Sequence, residues 1–414
     1  MKKSTKRAVG GATALCLAFG FFGVRTTDII SRKAAASEGF ERVSLLREEE
    51  KSANSSLQIQ AKSSFLMEYS SGTIMHEQNA KKRLPIASMC KIMTLLLSFE
   101  AIENGDLDMN ENLVISEKAA AMGGSQVFLE ENGSYPVKEL IKSIVVCSAN
   151  DSCVAMAERI AGSESLFVEK MNEKAKALGA SDTLFANCTG LPKEPQYSCA
   201  KDVALMLKAL LNHSEYFEFG KVWMDKFQHP EGRYTEISNT NKLVRFYDGC
   251  DGGKTGFTNE AGFCLAATAK RNGMRIISVV IGAENSKKRF EGVREMFDYA
   301  FANYALKSIV ECGTEMGEKA FINGGKEKFV GITPERNACV FLKRGEKANV
   351  TTEIFLNDLK APVCKGETAG ELVVYKDGVE TDRILLKAVA DVAKANFFDR
   401  LQDIGKNWNK RKTF

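Results

Sequence analysis

Between about Leu57 and Tyr304 the spacing of apolar residues switches repeatedly between the two-residue period of a strand and the three-to-four-residue period of a helix. Phe65-Leu66-Met67-Glu68-Tyr69 reads as a strand, Ser70-Ser71-Gly72 as a turn and Thr73 to His76 as a second strand, which predicts a hairpin. Helical spacing follows over 88–101, 138–147, 151–161, 164–178 and 199–212. Phe263 to Lys270 and Met274 to Gly282 are apolar strands joined by Arg271-Asn272-Gly273, whose Asn-Gly suits a type I′ turn. A last helix is predicted over 287–305. Strands at both ends with helices between them imply an α+β layer in which the first and last strands pair. After Leu306 the texture becomes short strand-like pieces with Gly-containing turns up to about Ala390, which predicts a smaller all-β domain.

Both ends of the chain differ from this body. Lys2, Lys3, Lys6 and Arg7 precede an uncharged apolar stretch, Ala8 to Val24, so residues 1–36 read as an export signal. Ala34-Ala35-Ala36 offers small residues for cleavage but lies well past the apolar run, which leaves an uncleaved anchor as the alternative. Residues 37–57 are polar and read as a spacer. Over 393–414, Phe397, Leu401, Ile404 and Trp408 recur at helical spacing, with Phe398 beside them and Lys394, Arg400, Lys406, Lys410, Arg411 and Lys412 around them. Such a helix suits the membrane interface. An ordinary terminal helix packing its stripe on the preceding domain has the same spacing, and the basic cluster at the end favours the membrane.

Composition narrows the classes. The chain has 414 residues, 57 Lys+Arg against 53 Asp+Glu, and a formal charge of +4, too little for its size to point to nucleic acid. That charge is a sum of unlike parts: residues 1–36 hold seven basic and one acidic, residues 394–414 six basic and two acidic, and the body is net acidic. Three histidines, His76, His213 and His229, leave few candidates for a His-based triad or an all-His metal site. Eleven cysteines without a Cys-x-x-Cys pair argue against zinc, and no metal or cofactor is expected. Outside the leader, odd cysteine numbers in both domains predict that some thiols are free.

The chemistry lies in three short motifs. Ser88-Met89-Cys90-Lys91 opens a helix after Leu84-Pro85-Ile86-Ala87, Ser148-Ala149-Asn150 sits between two helical runs, and Lys254-Thr255-Gly256 leads through a turn into the strand Phe263 to Lys270. Each is weak alone; in this order they describe a serine nucleophile without histidine. Ser88 and Lys91 are three apart, so on a helix they share a face and the amine reaches the hydroxyl. A lysine acts as base when burial and a second cation release its proton, and Lys254 is that cation as well as a partner for a substrate carboxylate. Ser148 can relay a proton to the leaving amine, and Asn150 can hold the substrate amide and orient Lys91. The backbone N–H groups at the start of the Ser88 helix and of Phe257 can hold the oxyanion. Gly256 removes a side chain where substrate lies along the strand.

On these residues the chain resembles a serine-type D-alanyl-D-alanine carboxypeptidase, a low-molecular-mass penicillin-binding protein. The likeness runs from about Ser63 to Phe414 and takes in Gly124-Ser125-Gln126-Val127-Phe128-Leu129, Ser148-Ala149-Asn150-Asp151, Thr189-Gly190-Leu191-Pro192 and Asp251-Gly252-Gly253-Lys254-Thr255-Gly256-Phe257-Thr258. The resemblance implies a β-lactamase/transpeptidase-like catalytic domain, an antiparallel sheet with a helical subdomain, over 58–305. It implies a β domain over 306–392 and a membrane-anchoring amphipathic helix after it. It also implies attack by Ser88 on the penultimate D-Ala carbonyl of a peptidoglycan stem peptide, acylation by β-lactams, and residence at the outer face of the cytoplasmic membrane. Arg289 matches the family's partner for the terminal carboxylate.

Three residues depart from the pattern. Cys90 stands where a hydroxyl or small residue is usual, Cys147 precedes Ser148, and Gln196 replaces a frequent His. Both cysteines are expected close enough to modulate the site. The rival within the motif class, a class A β-lactamase, needs a Glu about 35 residues after the second motif. Asp182 to Leu191 contains none.

Overall fold

A computed structural model describes residues 57–399. The leader 1–36, nearly all of the spacer and the tail beyond Asp399 lie outside the described residues. The chain divides into two compact units between Asn303 and Tyr304.

In the first unit, strands β1 (Ser63–Glu68), β2 (Ile74–Gln78), β3 (Cys250–Thr258), β4 (Gly262–Arg271) and β5 (Met274–Ala283) form one antiparallel sheet in the order β2-β1-β5-β4-β3. The first and last strands are neighbours, with Phe65 opposite Val279 and Met67 opposite Ile277. β5 is buried at nearly every position because helices α5 (Ala200–Leu210) and α6 (Ser286–Asn303) both pack on it, which is why it reads as a continuous apolar run. Asn272 and Gly273 take φ of 50° and 81°, the two positive values that a type I′ turn requires. Strand β3 is a difference from expectation. The Lys254-Thr255-Gly256 motif does not merely lead into a strand but lies within one, at the sheet's edge.

Helix α1 (Lys91–Glu103) is apolar almost all round and accordingly runs through the core, against α5 and α3 (Asn150–Ala161). Helices α2 (Val137–Val146) and α4 (Glu164–Ala177) pack on α3. Ser88 does not stand in the α-helix. It lies in a 3₁₀ turn, Ala87–Cys90, that leads into it. A hairpin of Met224–Gln228 with Tyr234–Ser238 was not anticipated. Its apolar alternation is reduced to Phe227 and Ile237, which are the residues it buries.

The second unit is all-β, as expected. Strands β6 (Tyr304–Val310) and β9 (Ala338–Lys343) pair with each other. β7 (Lys319–Asn323), β8 (Phe329–Pro334), β10 (Val350–Leu356), β11 (Leu359–Lys360), β12 (Thr368–Lys376) and β13 (Val379–Ala388) form a sheet in the order β10-β12-β13-β8-β7-β11. Alternate residues such as Ala320, Ile322, Leu372, Val374, Ile384 and Leu386 face its core. After β13 a helix begins at Phe397, capped reciprocally. The Asp399 N–H donates to Asn396 Oδ1 at 2.9 Å and the Asn396 N–H to Asp399 Oδ2 at 3.0 Å. The remainder of the expected amphipathic helix lies outside the described residues.

Candidate active site

The 3₁₀ turn gives the first contact. Side chains three apart eclipse in a 3₁₀ helix, so the Lys91 amine comes to Ser88 Oγ at 3.0 Å. The same amine donates to Asn150 Oδ1 at 2.6 Å and to the Thr189 carbonyl at 2.5 Å. An ammonium has three N–H donors and no lone pair, and three acceptors surround Lys91, which is buried. Losing one proton leaves two N–H groups for Asn150 and Thr189 and turns a lone pair towards Ser88.

Asn150 is fixed from both sides. Its Nδ2 donates to the Gly123 carbonyl at 2.7 Å, and its backbone N–H to the Ser125 carbonyl at 2.7 Å. The segment carrying those carbonyls is held by the next residue, since Asp151 Oδ2 accepts from the N–H groups of Val127 and Leu129 at 3.0 and 3.2 Å. Burial raises the Asp151 carboxyl above its ordinary pKa, and the backbone donors work the other way. Ser148, at the interhelical turn, has a φ of 68° and a buried Oγ without a hydrogen-bond partner. A left-handed non-glycine residue and a dry hydroxyl each cost about 1–3 kcal/mol. The protein therefore carries local strain at a residue that the motif had singled out.

Strand β3 passes under Ser88. A side chain at Gly256 would bring its Cβ to 2.6 Å from the Ile86 carbonyl and 3.2 Å from the Ser88 nitrogen, so only glycine allows this approach. Gly190, with φ of +81°, is confined in the same way against Ala87 from the other side. Lys254 is 1% exposed, and its amine donates to the Thr255 carbonyl at 3.2 Å. Burial, and next the charge of Lys91, bring its pKa down to about 7. Thr255 Oγ1 donates to Thr240 Oγ1 at 2.7 Å. Phe257 turns outward, half exposed, with its ring 4.4 Å from that of Phe263. Arg289, on α6, lies behind the strand and donates from Nη1 to the Gly256 and Cys264 carbonyls at 3.3 Å. Its buried Nε has no partner. Burial lowers its pKa to about 10.

Thus Ser88 and Asn150 both meet Lys91, Gly256 abuts Ser88, Lys254 feels the charge of Lys91, and Arg289 backs Gly256. The Thr189 carbonyl was missed as a ligand of Lys91, because a backbone acceptor leaves no mark in residue type. Its supports could have been read: Asn187 Oδ1 accepts from the Gly190 N–H at 2.7 Å, and Gln196 Oε1 from the N–H groups of Ala186 and Asn187. Gln196 therefore acts as a loop tie. Tyr216, whose hydroxyl accepts from the Gly253 N–H at 2.8 Å, positions the start of β3 and was also missed.

The cysteines adjoin the site without taking a reactive form. Cys90 is buried, donates to the Asn187 carbonyl at 3.2 Å, and has its thiol pKa pushed far up by burial. Cys147 is pushed up to about 12 by burial and by Asp151. The thiolate is the nucleophile in thiol chemistry, and burial favours the protonated thiol at both positions. Neither Cys90 nor Cys147 is in a disulfide.

Residues 49–285 match the family described as D-alanyl-D-alanine carboxypeptidase, and residues 304–394 match the C-terminal domain of penicillin-binding protein 5. The D-alanyl-D-alanine carboxypeptidase DacF of Bacillus subtilis is 41% identical over 86% of this chain and 92% of its own. Penicillin-binding protein 5 of Haemophilus influenzae superposes with a TM-score of 0.63 at 30% identity, over 81% of this chain and 98% of that one. Penicillin-binding protein D2 of Listeria monocytogenes, in its ampicillin-bound form, does so with a TM-score of 0.54 at 31% identity, over 60% and 100%. The chain belongs to the D-alanyl-D-alanine carboxypeptidase family.

Proposed function

We propose that this protein removes the terminal D-Ala from peptidoglycan stem pentapeptides through an acyl-enzyme on Ser88. The observation that carries the reading is the Lys91 amine, buried and placed 3.0 Å from Ser88 Oγ between two fixed acceptors. Lys91 takes the Ser88 proton as Oγ bonds to the penultimate D-Ala carbonyl carbon. The developing oxyanion sits between the N–H groups of Ser88 and Phe257, and one such donor is worth about 10²–10³ in rate. Asn150 keeps Lys91 aimed and holds the substrate amide. As the C–N bond breaks, the proton passes through the Ser148 hydroxyl to the leaving D-Ala nitrogen. Water then adds to the ester, Ser88 regains its proton, and the shortened peptide leaves.

Lys254 and Thr255 hold the terminal carboxylate, with Arg289 adding positive field from behind Gly256. A carboxylate beside Lys254 offsets the burial that lowers its pKa, so substrate binding restores its charge. The absence of a side chain at Gly256 lets the Ser88 turn close on β3, so a peptide lying along the edge of that strand comes against Ser88. A β-lactam follows the same first step, but its opened ring stays attached as the acyl group, so acylated Ser88 persists. The ampicillin-bound relative supports this reading over a β-lactamase.

The same proposal places the protein after export at the outer face of the cytoplasmic membrane, with its C-terminal helix in the lipid interface. The basic and aromatic residues of 394–414 support this. Incubation with a stem pentapeptide ending in D-Ala-D-Ala tests the activity. Free D-Ala is expected from the wild type and none above background from Ser88→Ala; equal release from both rejects the assignment.

A further inference from the structure

The second unit carries an aromatic corner that its own fold does not need. On β7 and β8, Phe321 and Phe329 stand directly opposite each other with ring centroids 5.8 Å apart, on the face away from the core that Ala320, Ile322 and Val330 fill. They are 44% and 55% exposed. The turn joining them presents exposed Lys326 and Lys328 with one acid, Glu327. Lys360, also exposed, lies opposite Asn323 on the adjoining strand β11.

Chain continuity gives this corner a direction. The last residues before the C-terminal helix pair onto the same turn. Lys326 N–H donates to the Ala393 carbonyl at 2.8 Å, and Ala395 N–H to the Gly324 carbonyl at 2.9 Å. Exposed Lys394 lies opposite Gly325. A hollow of about 450 Å³ follows, shared by Phe321, Lys326, Lys328, Ala395 and Asp399. The helix then starts with two more exposed rings, Phe397 and Phe398. The sequence that follows adds Leu401, Ile404 and Trp408 among five basic residues and one acid.

We propose that the β7–β8 hairpin is a second contact with an anionic phospholipid surface, made beside the C-terminal helix. The inference rests on the membrane attachment proposed above and names a part of the folded unit that shares it. Aromatic rings suit the headgroup region, where an apolar body can be buried while lysines around it meet lipid phosphate. One amphipathic segment alone gives reversible attachment, and a second contact linked to it raises overall binding without either becoming strong by itself. A hairpin fixed to the helix start by backbone hydrogen bonds has little ordering left to lose on binding.

The test uses the full chain and two single-tryptophan reporters. The tail reporter keeps Trp408 alone, through Trp223→Phe. The hairpin reporter has its one indole at position 321, through Phe321→Trp with Trp223→Phe and Trp408→Phe. Each is mixed with vesicles of phosphatidylglycerol and phosphatidylcholine containing brominated lipid. Quenching of both is expected. Quenching of the tail reporter without the hairpin reporter overturns the hairpin contact and leaves the tail attachment standing; quenching of neither rejects both. A hairpin-reporter emission already blue-shifted without vesicles means that the tail or a second copy covers the corner, which also overturns the proposal. In pelleting assays, Phe321→Ser with Phe329→Ser is expected to bind these vesicles about tenfold less than wild type. Lys326→Gln with Lys328→Gln is expected to weaken binding to the anionic vesicles, more so at low salt. Unchanged binding by both double variants contradicts the inference.

Discussion

The two units handle polar groups in opposite ways. Among the described residues, every buried polar or charged side chain, including Glu68, Lys91, Asp151, Lys254 and Arg289, belongs to the unit ending at Asn303. The unit starting at Tyr304 buries apolar side chains and keeps its ion pairs near the surface, such as Arg336–Asp382 at 2.7 Å and Arg383–Glu371 at 2.6 Å. Burying a charge costs free energy unless it is paired and hydrogen-bonded. Lys254, without an anionic partner, and Ser148, without any partner, are therefore costs to the first unit that its fold does not require. The second unit also has a dry hydroxyl, Thr333 Oγ1, but no buried charged side chain among the described residues, so the difference teaches where to look for chemistry: in the region that buries charge without an anionic partner.

Breaking this contrast at its centre has the largest expected effect. Ser88→Ala should abolish labelling by a fluorescent penicillin while leaving circular dichroism unchanged, because Oγ is the attacking atom. Asn150→Ala should cost about 10²–10³ in the acylation rate, since Lys91 loses one of the two acceptors that aim it. Its melting temperature checks that the fold survives.

Lys254→Met separates function from stability. Acylation by substrates bearing a carboxylate should fall by at least about tenfold, while the fold gains stability because an uncompensated buried amine is removed. The sign with pH follows from a folded pKa near 7 that lies below the unfolded value. Wild-type stability owed to this group rises as pH climbs from about 7 towards about 10.4, where only the unfolded chain still holds the proton. The gain from Met is therefore largest below about pH 7 and shrinks above it, by about 2–4 °C of melting temperature per kcal/mol. In the wild type, kcat/KM for a carboxylate substrate should decline as pH rises through about 7, as free Lys254 loses its charge. A pH profile of Lys254→Arg should lack that decline.

Smaller effects sharpen the other side. Leu372→Ala, in the core of the second unit, should cost about 2–5 kcal/mol of that unit's stability and leave the penicillin acylation rate unchanged. Arg383→Ala should shift melting by no more than about 4 °C, as exposed ion pairs contribute little.

Much of this was legible in the sequence because the catalytic groups are side chains at short fixed spacings. Ser88 and Lys91 could be paired from a three-residue offset, and the sheet could be closed from first strand to last because Phe65–Tyr69 and Met274–Gly282 are both apolar runs. The 3₁₀ turn at Ser88 and an α-helical start have the same spacing to first order, so the two could not be told apart. The Cys250–Thr258 strand escaped notice because three glycines at 252, 253 and 256 read as turn material, whereas in place they allow close backbone packing. Backbone acceptors such as the Thr189 carbonyl carry no residue signature at all. Cys90 and Cys147 looked reactive by position, and only their burial revealed how far their thiols are from ionising.

The most direct test of the central claim is peptide mapping by mass spectrometry after reaction with benzylpenicillin. The account predicts a penicilloyl adduct on Ser88 in the wild type, formed far more slowly in Asn150→Ala and absent from Ser88→Ala. An adduct on any other residue, or one that persists in Ser88→Ala, would contradict it.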